Sequence, residues 1–255
     1  MPSSKRPLMI ERVSTYIAGF DELIEGGFPK GSITLISGMP GTGKSIFCAQ
    51  ILYNNVLKGK KCLYLNLEQD SGRLETQMKE LGWNPDTVKK NLKIAAVDSS
   101  DPSMVEYVLD EIKKLNYDLV VLDSLDSISS TPLSTDEIGR LGIDQISDML
   151  VPTVMDAPMI GRMKLKKIFA AIAQSKATAF LTSEKVENAP GISRDTISEF
   201  LCDGIVTLNY IEIGVADYRT MLIQKLRNSD HYKGIVPYNI TKKGIEILVS
   251  ELKKR

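Results

Sequence analysis

The sequence predicts an α/β domain: a mostly parallel, twisted sheet flanked by helices, with an antiparallel β extension at its C-terminal end. Three observations carry this. A strand, a glycine-rich loop and a helix follow one another between Ser32 and Gly59. The stretches "KKCLYLNLEQD" and "YDLVVLDSLDSI" are short apolar runs, each ending in a carboxylate. Buried parallel strands read this way, with polar groups collected at their C-terminal ends. Near the end of the chain, "GIVTLNYIEI" and the run closing on "KLRNSDHYKG" read as further strands.

The chain has 255 residues, 43% of them hydrophobic, which suits one domain over residues 1–255 with a substantial core. Lys+Arg and Asp+Glu are both 32, so no global field attracts nucleic acid or an anionic membrane. No apolar run reaches the length of a membrane span, and "MPSSKRPLMIERVSTY" lacks the core of a signal peptide. A cytoplasmic protein is expected. Cys48, Cys62 and Cys202 are odd in number and set in apolar contexts, as buried thiols in a reducing compartment would be. They show no metal-ligand spacing.

The first element is the strand containing Ile33, Leu35 and Ile36. The helix after it carries Ile46, Phe47, Ala49, Ile51, Leu52 and Val56 at helical spacing, and Gly59 is placed to stop it. Between them "GMPGTGKS" fits G-x-x-x-x-G-K-[ST], with Gly38, Gly43, Lys44 and Ser45 in the fixed positions. Glycines let backbone N–H groups converge on phosphate oxygens. A helix starting near Lys44 turns its positive end toward the same anion. Gly41, Thr42 and Ile46 complete the cradle, Lys44 reaches the terminal phosphates, and Ser45 is suited to a Mg²⁺ ion.

The next strands supply carboxylates. Leu119 to Leu122 lead into Asp123, the expected metal-shell residue; Asp126 competes for the role but is expected to cap or to face solvent. Cys62 to Leu67 lead into Glu68, which either orients and deprotonates a water or is an ordinary surface residue at a strand end.

Together these pieces resemble the RecA/RadA superfamily of P-loop ATPases, and within it the KaiC-like branch. "STYIAGFDELIEGGFPKGSITLISGMPGTGKS" resembles the family's opening, "LNLEQ" its catalytic-glutamate strand, "VVLDSLDSI" its Walker B strand and "AFLTSEKVEN" the strand after it. "KLRNSDHYKGIVPYNITKKGIEIL" resembles its closing signature, so the likeness runs from about Ser14 to Leu248. The resemblance implies ATP and Mg²⁺ as ligands, and a ring, hexameric by expectation, with ATP between subunits. It also implies that the closing segment serves the neighbouring subunit's nucleotide. Lys225 and Arg227 would approach the terminal phosphate, and Leu226, Ser229, His231, Thr241 and Lys242 would line the nucleotide. A guanidinium offered in trans can raise turnover roughly 10³–10⁵-fold. From the residues alone, Lys225 and Arg227 read instead as the outward face of an edge strand, and His231 as part of a polar turn.

Two departures modify the expectation. The family's paired glutamates are Glu68-Gln69 here, which points to slow hydrolysis or to a non-catalytic, ATP-gated assembly module. Where kinase-type members carry a Ser-Thr acceptor pair, this chain has Glu199-Phe200, so autophosphorylation is not expected.

The stretch from Ser129 to Lys167 reads as an insertion broken by Pro132, Pro152 and Pro158, with a short amphipathic helix around Ile143, Ile146 and Met149 to Val151. Its basic residues, Arg140, Arg162, Lys164, Lys166 and Lys167, are offset by Asp136, Glu137, Asp144, Asp148 and Asp156, and no aromatic is interleaved for base stacking. It is read as a loop on its own domain or as a protein-partner surface, with DNA binding of the recombinase type the disfavoured alternative. The overall expectation is a ring-forming ATPase of regulatory role.

Overall fold

The structure is a computed structural model, and it describes residues 10–67, 71–114, 116–130, 157–185, 191–213 and 216–249. A two-stranded antiparallel ribbon, β1 (Arg12–Val13) with β2 (Phe28–Pro29), opens the chain. The main sheet has nine strands: β3 (Ile33–Gly38), β4 (Cys62–Asn66), β5 (Leu92–Ala96), β6 (Leu119–Asp123), β7 (Thr178–Glu184), β8 (Gly204–Ile213), β9 (Ala216–Leu226), β10 (Val236–Thr241) and β11 (Gly244–Ile247). Their spatial order is β11-β10-β9-β8-β3-β7-β6-β4-β5. From β8 across to β5 every pairing is parallel, and β9, β10 and β11 are added antiparallel. The expected architecture is therefore present.

Helices cover both faces: α1 (Lys44–Val56), α2 (Ser71–Glu80), α3 (Pro85–Val88), α4 (Met104–Lys113), α5 (Leu125–Ser130), α6 (Ala157–Ser175) and α7 (Ser198–Leu201). Successive side chains of a strand point to opposite faces, so each central strand feeds two cores. Ile36, Tyr64, Val121, Phe180 and Val206 pack toward Phe47, Ile51 and Leu52 of α1. Leu35, Leu63, Leu65, Val120 and Leu181 pack toward Val105, Val108 and Ile112 of α4 and Leu165, Ile168 and Ile172 of α6. This double burial is why β3, β4 and β6 read as continuous apolar runs. All three cysteines are free and buried in these cores.

The opening segment docks on α1. Asp21 accepts from Thr15 N at 2.9 Å, Thr15 Oγ1 at 2.7 Å and Tyr16 N at 3.0 Å, closing the turn spelled "GFDEL". Phe20 then meets the Phe47 ring edge-on at 5.1 Å. Gly27 has φ +138, and a Cβ there would stand 2.4 Å from the Val13 carbonyl, so the second glycine of the pair has no substitute.

The insertion read from Ser129 to Lys167 requires correction at its C-terminal side. Residues 157–167 are the first part of α6, with Lys164 and Leu165 buried. Pro158 starts that helix rather than breaking the stretch. The amphipathic helix expected around Ile143 lies outside the described residues, as do Pro132, Pro152 and the acidic residues 136–156. Among the described residues no helix is long and apolar enough to cross a membrane.

Candidate nucleotide site and its distant partners

β3 ends at Gly38 and α1 begins at Lys44, so the glycine loop sits at the C-terminal end of a central parallel strand. A Cβ on Gly38 would stand 2.4 Å from the Leu208 carbonyl, and Gly43 has φ +97 at the helix N-cap. Both positions therefore require glycine. Among the described residues nothing accepts a hydrogen bond from the N–H groups of Gly41, Gly43, Lys44, Ser45 or Ile46. These donors, at the positive end of a 13-residue helix, are what an anion would satisfy. Lys44 Nζ bridges the carbonyls of Gly38 at 2.9 Å and Met39 at 3.2 Å, folded over the loop.

Asp123 lies at the end of β6 and is 7% exposed. Its Oδ1 accepts from the Thr182 hydroxyl and its Oδ2 from the Tyr64 hydroxyl, each at 2.5 Å. Ser45, at the start of α1, lies near the Tyr64 hydroxyl. Burial, and then the charge of Asp123, push the Tyr64 pKa well above its ordinary value, so it remains a donor. Ser45 and Asp123, chosen on sequence as the metal pair, thus both lie close to one phenol, which is hydrogen-bonded to Asp123. Their hard oxygens suit Mg²⁺, and a carboxylate that accepts two bonds keeps lone pairs for metal-bound water. No group of three or more His, Cys, Asp or Glu forms a metal cage among the described residues. Mg²⁺ carried in with phosphates needs no such cage.

Of the two roles expected for Asp126, capping or facing solvent, the second does not hold. Asp126 is 8% exposed and accepts from the Ser183 hydroxyl at 2.9 Å and from Glu184 N at 2.7 Å, so it ties α5 to the end of β7. Glu68 and Gln69 lie outside the described residues. Leu67, which precedes them, donates its N–H to the Asp123 carbonyl at 2.6 Å.

The closing segment is not beside the phosphate loop of its own chain. β8 runs parallel to β3 with Leu208 level with Gly38, whereas β9 returns so that Lys225 pairs with Ile205 and Leu226 with Gly204. By register Lys225 and Leu226 stand three and four residues back from the level of Gly38, about 10–13 Å along the strand, toward the opposite end of the sheet. Lys225 Nζ donates to the Cys202 carbonyl at 2.6 Å, just past the end of α7. Arg227 is exposed and stands 3.4 Å from Asp203. The 228–235 turn is held on the opening segment: Ser229 accepts from Arg12 at 2.7 Å, Asp230 N donates to Glu25 at 3.2 Å and Tyr232 N to the Leu23 carbonyl at 2.8 Å. His231 lies in that turn, its Nδ1 3.1 Å from the Tyr232 carbonyl. Thr241 and Lys242 are elsewhere, at the β10–β11 turn on the α1 side, where Ile240 packs against Gly43. The predicted residues therefore fall into three groups within one chain.

Three aromatic residues at the site were not singled out from the sequence. Tyr64, Tyr210 and Tyr238 all sit at strand positions where a tyrosine is ordinary core. Only the structure shows that Tyr210 donates to the Gly41 carbonyl at 2.6 Å and Tyr238 to the Thr42 carbonyl at 2.5 Å.

A glycine loop opening onto a helix, a buried aspartate ending a nearby strand and an antiparallel extension beside the parallel sheet define a P-loop ATPase domain of RecA-like fold. The family described as "ATPase: KaiC" matches residues 13–251, and the chain belongs to it. It is 31% identical over 245 residues to a UPF0273 protein of Thermotoga maritima, covering 95% of this chain and 98% of that one. It is also 31% identical over 240 residues to the circadian clock oscillator protein KaiC of Synechococcus elongatus, covering 93% of this chain but 44% of that protein. Among solved structures, a KaiC-like protein from Pyrococcus horikoshii superposes with a TM-score of 0.75 at 28% identity, over 93% of this chain and 99% of the other.

Proposed function

We propose that this chain binds MgATP at residues 38–46, hydrolyses it slowly, and assembles so that Lys225 and Arg227 of one subunit complete the site of the next. The observation that carries the reading is the set of unaccepted N–H groups at the start of α1, facing the same loop as Lys44 and near Asp123, which Tyr64 and Thr182 hold in place.

Triphosphate oxygens replace the carbonyls that Lys44 now holds, and the Gly43 to Ile46 amides take up the remaining charge. Ser45 and Asp123 would hold Mg²⁺, which would supply charge neutralisation on the phosphates. Thr182 and Tyr64 fix the Asp123 carboxylate in one orientation. Glu68 is assigned to accept the proton of the attacking water. With Gln69 beside it instead of a second carboxylate, turnover is expected to be slow.

The trans assignment rests on register. Lys225 and Arg227 point away from their own loop, and Arg227 is tied down only by an exposed contact to Asp203. Exposed pairs contribute at most about 1 kcal/mol, so exchanging Asp203 for a phosphate costs little. Phosphotransfer to the protein itself is not part of the proposal. The acceptor positions are Glu199 and Phe200, and the nearby Ser198 hydroxyl is buried and bonded to Asp195 at 2.7 Å. The role is regulatory, with the assembled form as the species that partners meet. Size analysis with and without MgATP, alongside phosphate release, tests the reading. ATP-dependent assembly without release would leave a nucleotide-gated module, and no nucleotide binding at all would end the proposal.

A further inference from the structure

Two tyrosines grip consecutive peptide groups of the phosphate loop from outside. Tyr210, on β8, donates its hydroxyl to the Gly41 carbonyl at 2.6 Å. Tyr238, on β10, donates to the Thr42 carbonyl at 2.5 Å. Neither hydroxyl is left to choose its partner freely. Arg219, on β9, donates to the Tyr210 oxygen at 3.1 Å and lies over its ring at 5.1 Å, so the Tyr210 proton is directed to Gly41. Tyr238 is 1% exposed, and no other acceptor for its hydroxyl is present among the described residues.

A peptide group is planar and trans, so a carbonyl held on one side puts the next residue's N–H on the other. Pinning the carbonyls of Gly41 and Thr42 outward therefore turns the N–H groups of Thr42 and Gly43 toward the inside of the loop. The Gly43 N–H has no acceptor among the described residues, and the Thr42 N–H makes only a long 3.4 Å contact with the Met39 carbonyl. With glycine at 41 and 43, at φ +79 and +97, the loop itself does little to fix these planes.

We infer that Tyr210 and Tyr238 are positioning residues, which preset two loop amides for phosphate oxygens before a nucleotide arrives. The ligand class is a nucleoside di- or triphosphate, and the inference rests on the nucleotide reading of this loop. Preset donors bind more tightly because no reorientation has to be driven by binding.

The test is Tyr210→Phe, Tyr238→Phe and the double variant, which keep the rings and remove only the hydroxyls. Each chain is titrated with fluorescent mant-ATP and mant-ADP, and the phosphorus NMR spectrum of bound ATP is recorded. Each single change is expected to weaken both nucleotides roughly fivefold, about the worth of one hydrogen bond, and to move the bound β-phosphate resonance. Affinities within twofold of the unsubstituted chain, in both singles and the double, overturn the inference. So does weakened binding with an unmoved phosphate resonance, because the hydroxyls would then act only on stability. If the unsubstituted chain binds neither nucleotide, the nucleotide reading fails first and takes this inference with it. Binding by that chain with unaffected variants removes this inference alone.

Discussion

Lys225 is hydrogen-bonded to the Cys202 carbonyl at 2.6 Å, while Lys44 of the same chain lies at the other end of the sheet, beyond Gly38. Within one chain the two cations therefore do not meet the same phosphate. Subunits carrying Arg227→Ala keep a sound phosphate loop but offer no guanidinium, and Lys44→Ala subunits have the reverse defect. Each alone should be nearly inactive. Mixed and allowed to exchange, they should form some interfaces with both parts intact, and phosphate release should exceed that of either parent. Exchange, seen by labelled subunits, with no gain in release removes Arg227 from a trans role.

Within one site, Lys44→Ala should abolish detectable ATP binding by equilibrium titration, since it removes the cation opposite the terminal phosphates. Glu68→Gln should bind ATP as the unsubstituted chain does and lose at least tenfold in turnover, because an amide cannot accept the proton. Equal turnover in the two chains would take Glu68 out of the mechanism.

Asp123→Asn should raise the Mg²⁺ concentration needed for half-maximal ATP turnover by about tenfold or more. The amide keeps the shape but loses the charge, and its NH₂ group faces the Tyr64 or Thr182 hydroxyl. An unchanged Mg²⁺ dependence would place the metal away from β6.

Glu111 gives a pH prediction away from the site. It is buried, and burial pushes its carboxyl up, but hydrogen bonds from Lys114 and Lys93 outweigh this and leave its pKa lowered. A lowered carboxylate stabilises the fold above its unfolded value, about 4.3, and loses that contribution as pH falls through the folded one. Glu111→Gln should cost about 1–2 kcal/mol at pH 7, discounted for the exposed lysines. The gap to the unsubstituted chain should narrow in denaturant titrations as pH falls below the unfolded carboxyl's range and through the lowered folded one. A gap independent of pH would mean that packing, not charge, is what Glu111 supplies.

Replacing residues 131–156 with a short Gly-Ser linker should leave the chain folded and able to bind ATP. The ends are close, because Ser129 lies against Gly161 one turn inside α6. Extending the same replacement to Lys167 should unfold the protein, because Leu165 and Lys164 are then removed from the α6 contact with the sheet. Circular dichroism and mant-ATP titration report both outcomes.

Much of this was legible because each signal had a local cause. The loop between Gly38 and Ser45 reads directly, since backbone geometry dictates its glycines. The strands ending at Asp123 and Leu226 read from apolar runs with a sharp polar stop. The α6 boundary did not read, because a proline at a helix start and a proline that breaks a stretch look alike until the burial of Leu165 is known. That Asp126 is buried rather than solvent-facing did not read for a similar reason: its partners, Ser183 and Glu184 N, are 57 and 58 residues away in the chain. Tyr210 and Tyr238 gave no signal at all, since a hydroxyl that meets a carbonyl more than 150 residues away leaves no pattern in spacing.

The hairpin of β8 and β9 meets the phosphate loop at Tyr210 and ends, on the far side, at Lys225 and Leu226. If Lys225 and Arg227 serve a neighbour's nucleotide, a solitary chain would own two half-sites that cannot close on one another. Its output per molecule should therefore depend on how crowded it is: diluted below the concentration at which subunits meet, the protein should fall silent while its phosphate loop still fills. Abundance, rather than the supply of ATP, would then decide when it works.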